Sequence, residues 1–164
     1  MEEKIKKQEN IKFKNKSDEL VEDIRENLAT EFNEFYVKTT IYSCIQLAKN
    51  NWNNEETKGI HYEVWSSCIN DRNLYGNNSA EFYIGLHVEG RKAPMPTIIR
   101  ELEKVDIIKT YRYIVEQCSL ILNFENEVEI KKSIDKIIQK IKYFDEKYTT
   151  KIEEALKRIK SNER

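Results

Sequence analysis

The chain has 164 residues and a formal net charge of −1, with 35% charged and 39% hydrophobic residues. This length suits one domain with a sizeable core, and the charged surface with few glycines and prolines excludes a disordered chain or a β-sandwich. A net charge near zero provides no overall field that would recruit nucleic acid or membrane.

The cysteines and the hydropathy pattern indicate the compartment. Cys44, Cys68 and Cys118 form no C-x-x-C pair, and the sequence contains no secretory signal and no apolar run of membrane-spanning length. We therefore expect a cytoplasmic protein with reduced thiols and no membrane contact. Heavy use of Lys, Asn and Ile is typical of an AT-rich bacterial, phage or mobile-element genome.

The N-terminal residues 1–16 contain six lysines and three glutamates with few apolar residues. This composition predicts a basic, loosely docked arm, followed by a single domain over 17–164. Ser17 is a candidate N-cap for a long helix that we expect to run to about Lys49. Its first half has an apolar stripe at spacings of three and four, formed by Leu20, Val21, Ile24, Leu28, Phe32 and Phe35.

Two segments in the middle of the chain, at about 60–69 and 81–89, alternate in polarity as half-buried strands do. The connection between them is rich in residues that form turns. The pattern predicts a central antiparallel β-hairpin with a long loop. The predicted apolar face of its second strand consists of Phe82, Ile84, Leu86 and Val88.

The segment 106–124 is compatible with two structures. Its apolar residues fit one helical face, with Asp106 as a candidate N-cap, whereas 111–115 and 118–124 have the composition of two strands that would extend the hairpin sheet. We favour the helix because no turn residue separates the two would-be strands.

The segment from about 126 to 160 is the clearest helix. Its apolar residues follow a heptad spacing, which predicts a long coiled-coil-like helix that pairs with the N-terminal helix or forms a homodimer. The fold expected is therefore α+β and predominantly helical, with one central hairpin. The heptad positions are Ile130, Ile134, Ile137, Ile141, Phe144 and Tyr148.

The hairpin contains the pattern His-x-Glu twice, as His61-Tyr62-Glu63 and His87-Val88-Glu89. If paired residue numbers sum to about 150, Glu63 lies opposite His87 and His61 lies opposite Glu89, with Cβ atoms roughly 5 Å apart. Two imidazoles and two carboxylates at that spacing are able to bind zinc or another divalent ion. The commoner role of such pairs is to hold the register of a solvated sheet face.

The same hairpin face is the predicted binding surface. Trp65 and Tyr83 lie on it, with Trp65 expected over Gly85, and Arg91 and Lys92 follow just beyond it. Exposed aromatic and basic side chains of this kind are typical of sites that recognise a partner.

The sequence has no Gly-rich phosphate loop, nucleophile elbow, H-E-x-x-H motif or paired C-x-x-C, and it predicts no catalytic residues. We expect a non-enzymatic protein-binding or regulatory protein, for example a phage or mobile-element inhibitor or accessory factor, with another protein as its partner. One alternative is a metal-dependent hydrolase or nuclease that binds a divalent metal at His61, Glu63, His87 and Glu89. Without that activity we expect no cofactor. Another is a nucleic-acid-binding accessory module that uses the basic arm and the stripe formed by Lys132, Lys136 and Lys140.

Overall fold

A computed structural model of the chain describes residues 19–40, 44–52, 59–66, 78–88 and 114–162. The predicted basic arm at 1–16 lies outside the described residues, as do Glu89, Arg91 and Lys92. Within the described ranges, no helix is long and apolar enough to cross a membrane.

The part of the chain that the structure describes forms two helices and one five-stranded antiparallel sheet. Strand order in the sheet follows chain order, so each strand pairs with its neighbours in sequence. The expected fold, predominantly helical around a single hairpin, is therefore wrong. The elements are α1 (19–31), β1 (Phe35–Thr39), β2 (Ile45–Lys49), a 3-10 turn (Asn50–Trp52), β3 (Ile60–Trp65), β4 (Ser79–Val88), β5 (Ile114–Asn123) and α2 (Glu127–Asn162).

The predicted N-terminal helix is much too long. Helix α1 ends at residue 31, and a turn in which the Phe35 amide donates to the Phe32 carbonyl leads directly into β1. Strands β1 and β2 then pair, with Phe35 opposite Lys49 and Thr39 opposite Ile45. The β-branched and aromatic residues of this segment favour the extended conformation. The low polarity of this segment results from two short strands whose Phe35, Ile45 and Leu47 belong to the core.

The helix favoured for 106–124 is also wrong over its described part. Residues Ile114–Asn123 form one continuous strand that pairs with β4. Val115 and Leu122 are buried, whereas Ile121 is exposed. Apolar residues on both faces of a strand imitate a helical stripe over this short length, which is why the pattern misled.

The central hairpin is present, but its register differs from the one predicted. Ile60 pairs with Val88, His61 with His87 and Trp65 with Tyr83. Paired numbers sum to 148 in this register rather than about 150. Because the shift is by two residues, every side chain keeps its predicted face and changes only its cross-strand partner.

The heptad residues of α2 pack in a core that α2 shares with the sheet and with α1, rather than in a two-helix seam. Ile137, Ile141 and Phe144 are fully buried in the same core as the apolar face of β4. The description of α2 as coiled-coil-like is therefore wrong, and a homodimer through α2 would need another of its surfaces. Helix α1 lies beside α2, since Lys142 forms an ion pair with Glu31.

One buried polar network attaches α2 to the sheet. The Tyr62 hydroxyl donates to Asp145 Oδ1 at 2.8 Å, Thr149 donates to the same oxygen at 2.7 Å, and Lys49 Nζ lies 3.0 Å from Asp145 Oδ2. Burial, together with the charge of Asp145, raises the pKa of Tyr62 far above its usual value, so that this hydroxyl remains a donor. The network therefore fixes the position of α2 along β3.

Replacing Asp145 with alanine tests this network. Asp145→Ala leaves the buried Tyr62 hydroxyl and the Lys49 ammonium without their acceptor, and we expect a loss of about 2–4 kcal/mol in the free energy of unfolding. Urea denaturation measures it. Asp135→Ala, at an exposed position of the same helix, is the matched control and should change the stability by less than about 0.5 kcal/mol. Equal effects of the two substitutions would contradict the role of the network.

Candidate metal centre

The two faces of β3 have different environments because successive side chains of a strand point to opposite sides. Tyr62 points toward α2, as its hydrogen bond to Asp145 shows. His61 and Glu63 therefore point to the opposite face of the sheet, and the pairing of His61 with His87 places both imidazoles there. Gln46 on β2 pairs with Glu63 and joins them on this face.

Three side chains converge on this face in a compact cluster. Ligand atoms of His61, Glu63 and His87 all lie within 4.8 Å of one another. The Nε2 atom of His61 is 2.9 Å from Glu63 Oε1, and the Nδ1 atom of His87 is 3.2 Å from Glu63 Oε2. The Glu63 carboxylate thus lies between the two imidazoles, with one oxygen directed at each ring.

Gly85 makes this arrangement sterically accessible. In the sheet register Glu63 is opposite Gly85, whereas His87 is opposite His61, so the His87 ring has to lean along the strand to reach Glu63. A Cβ atom at Gly85 would lie 3.2 Å from His87 Nε2 and 3.0 Å from the Glu116 carbonyl oxygen. The missing side chain therefore leaves the space that the ring occupies. A register shift of β5 opposite Leu86 and His87 adjoins this space.

Burial makes the cluster chemically unusual. His61 and His87 are 8% and 7% exposed, so both imidazoles are removed from bulk water. The Nε2 atom of His87 has no hydrogen-bond partner within the described ranges. Because a buried polar atom normally has a partner, this unsatisfied nitrogen is an unusual feature of the cluster.

The protonation states favour binding of a cation. Burial raises the pKa of Glu63, but the hydrogen bond from His61, the charge that His87 acquires in acid and the amide of Gln46 outweigh it and lower the pKa to about 2. Burial lowers the pKa of His87, against the opposing effect of the Glu63 carboxylate. At neutral pH the cluster therefore offers a charged carboxylate and a neutral His87 imidazole, the forms in which these groups bind metals.

The predicted partner-binding face is only partly described. Trp65 and Tyr83 stack on each other with ring centroids 4.6 Å apart, and they are the next pair on the same sheet face after Glu63 and Gly85. Trp65 is thus paired with Tyr83 and does not cover Gly85. Binding through these rings stays a prediction, as does any part played by Arg91, Lys92 and Glu89.

Gln46 is the member of this cluster that the sequence interpretation missed. Its Nε2 atom donates to Glu63 Oε1 at 2.8 Å and lies 3.2 Å from His61 Nε2. The alternation of Ile45, Gln46 and Leu47 was the available signal, because it places Gln46 on the face opposite the two apolar residues. Assigning this segment to a helix concealed that signal.

The apoprotein should lose stability in acid. Glu63 with a folded pKa of about 2, below its usual 4.5, contributes stability that is present above pH 4.5 and lost as the pH falls toward 2, on the order of 3 kcal/mol. The lowered pKa of His87 acts in the same direction, beginning below its usual 6.5.

Urea denaturation at a series of pH values, with a chelator present, measures this dependence. Glu63→Gln should abolish the decline in the free energy of unfolding between pH 4.5 and 2. Glu81→Gln changes an acid of β4 on the same sheet face and should retain that decline. A wild-type free energy of unfolding that is flat across this range would show that the carboxylate is not stabilised as described.

Comparison with models of known protein families, with curated proteins and with solved structures finds no match for this chain. Its function is accordingly argued from the geometry of the His61, Glu63 and His87 cluster.

Proposed function

We propose that this protein binds one divalent transition-metal ion through His61, Glu63 and His87, and that it acts as a metal-dependent regulatory or binding protein. The observation that carries the proposal is the convergence of two buried imidazoles on one carboxylate, with ligand atoms within 4.8 Å of one another. The His87 atom directed at Glu63 is Nδ1, 3.2 Å from Oε2, and this contact brings the second imidazole to the carboxylate.

The donor set and its dimensions suit zinc. Imidazole nitrogen and carboxylate oxygen bind Zn²⁺ at about 2.0–2.2 Å, and tetrahedral angles then place neighbouring donors about 3.3 Å apart. Two contacts in the cluster are near this spacing, 2.9 Å from His61 Nε2 to Glu63 Oε1 and 3.2 Å from Glu63 Oε2 to His87 Nδ1, and they use the two different carboxylate oxygens. Two histidines with one carboxylate also bind Fe²⁺, so metal analysis has to identify the ion.

A bound ion would affect the face that we expect to meet a partner protein. His61 and Glu63 are on β3 and His87 is on β4, so the metal would link the two strands that also carry the stacked Trp65 and Tyr83. Linking these strands makes the aromatic pair a more rigid surface, and rigidity lowers the entropic penalty of binding. We place this activity in the cytoplasm, where three reduced thiols are expected.

A metal-dependent hydrolase is the second candidate. Three protein ligands leave one position of a four-coordinate zinc for water, which the metal activates for attack. Two histidines and one glutamate are a ligand set that catalytic zinc sites use. This candidate shares the metal site of the first and differs in requiring an open coordination position.

Metal analysis tests the shared part of both proposals. Purified protein exchanged with Zn²⁺ and desalted should retain about one ion per chain, because the donors are held together before binding. His61→Ala and His87→Ala should each weaken binding by more than the roughly 10–100-fold typical of losing an outer-shell partner. Plasma mass spectrometry and competition with a chromogenic chelator measure this.

Glu81→Gln is the matched control for Glu63→Gln, since both acids lie on the same sheet face and only Glu63 contacts the imidazoles. Wild-type protein that retains no zinc, or histidine variants that bind it as well as wild type, would rule out the site.

Hydrolysis of an activated ester by the zinc-loaded protein separates the two candidates. A hydrolase should show a zinc-dependent rate that disappears in His87→Ala and is unchanged in Glu81→Gln, because only a metal-bound water provides the nucleophile. A zinc-loaded protein with no rate above free zinc would eliminate the hydrolase and leave the binding protein standing.

A further inference from the structure

We propose that the side-chain carbonyl oxygen of Gln46 is a fourth ligand of the metal and closes its coordination sphere. This inference rests on the proposed metal site and adds a residue from a third strand to it. The resulting set comprises Gln46 on β2, His61 and Glu63 on β3, and His87 on β4.

The distances around Gln46 are those between ligands of one ion. Its terminal amide atom lies 2.8 Å from Glu63 Oε1 and 3.2 Å from His61 Nε2, and those two atoms are 2.9 Å apart. With metal–donor bonds of about 2.0–2.1 Å, neighbouring ligand atoms are about 3 Å apart in octahedral or tetrahedral geometry. The spacing of the three atoms therefore matches one triangular face of a coordination polyhedron, although the same distances also suit hydrogen bonds.

Hydrogen bonding alone does not satisfy this triangle. If His61 Nε2 carries the proton, it donates to Glu63, but it then faces the Gln46 amide group as one donor against another. If Nε2 carries the lone pair, it accepts from Gln46 but faces the Glu63 carboxylate as one acceptor against another. Each tautomer leaves one repulsive contact among the three.

A cation and a rotated amide remove the conflict. With the ion bound, the His61 lone pair and the Glu63 oxygen both point at positive charge, so their close approach becomes favourable. Turning the Gln46 carboxamide by half a revolution exchanges its nitrogen and oxygen at nearly the same position. The carbonyl oxygen then takes the place from which the amide nitrogen contacts both groups.

The sheet register explains why Gln46 is the residue in this position. Gln46, Glu63 and Gly85 are cross-strand neighbours in one row, and His61 and His87 occupy the next row. In this row the Gln46 side chain lies on one side of Glu63. On the other side Gly85 has no side chain, and the His87 ring lies in that space. Gln46 thus approaches the carboxylate from β2 while His87 approaches it from β4.

A fourth protein ligand changes what the site can do. Zinc sites with four protein ligands are structural or regulatory, whereas catalytic sites keep one position for water. A neutral carboxamide oxygen is also a weaker ligand than a carboxylate or an imidazole for such an ion. Gln46 therefore favours the regulatory binding protein over the hydrolase.

The experiment uses full-length protein loaded with Co²⁺, whose visible absorption reports coordination number and ligand exchange. Wild-type protein should give a four-coordinate spectrum that sodium azide does not change, because no position is open. Gln46→Ala should open the fourth position, so azide should shift its spectrum. Its affinity for Zn²⁺ should fall, but by less than in the histidine variants, because a carboxamide oxygen is the weaker ligand.

Gln46→Leu keeps the bulk of the side chain without its oxygen and should behave as Gln46→Ala does. It shows whether an effect of Gln46→Ala comes from the lost oxygen or from misfolding. Gln117→Ala is the matched control, because Gln117 pairs with Gly85 at the other side of the same row. It should leave the spectrum unresponsive to azide.

Each outcome separates this inference from the proposed function. A wild-type cobalt spectrum that responds to azide, or Gln46 variants with unchanged spectrum and affinity, would overturn the fourth ligand and leave the three-residue site intact. Failure of the wild-type protein to bind Co²⁺ or Zn²⁺ would overturn both.

Discussion

The rest of the structure depends on the alternation of side chains along β3. On one face of this strand Ile60, Tyr62 and Val64 are at most 1% exposed and pack in the core beneath the helices. On the other face, His61 and Glu63 form a buried polar cluster. Because a strand has period two, neither set can move to the other face without a slip of one residue. The core therefore holds the cluster in place.

This coupling explains how a charged carboxylate is tolerated away from water. An unpaired buried carboxylate would be destabilising by several kcal/mol, so the structure has to provide partners. Glu63 has three, which come from its own strand and from both neighbouring strands. Because the strands follow chain order in the sheet, β2 and β4 flank β3. Side chains of adjacent strands on one face are only about 5 Å apart, so those of β2 and β4 reach Glu63.

The helices have the complementary role. Helix α2 covers the apolar side of the sheet, and its Asp145 reaches Tyr62 on the same strand that carries His61 and Glu63. The two polar networks thus lie on opposite faces of β3 and meet through its backbone. We expect a change in one network to affect the other mainly by shifting β3, because rigid secondary elements transmit displacement as units.

Several features were visible in the amino-acid sequence, and others were hidden in it for a physical reason. The alternation of His61, Glu63 and Trp65 with apolar residues placed them correctly on one face, and the long C-terminal helix was clear from its spacing. The heptad of Ile137, Ile141 and Phe144 could not reveal what it packs against, because a sheet and a second helix both bury such a stripe.

The sequence by itself determined the period of the hairpin strands, and with it the face on which His61, Glu63 and His87 lie, because side-chain direction follows from local backbone geometry. Only the tertiary structure decided the register, the number of strands and the position of Gln46 on β2 beside Glu63. Those features depend on which distant segments pair, and pairing is determined by the fit of whole faces and the closure of loops between them, neither of which a short-range pattern contains.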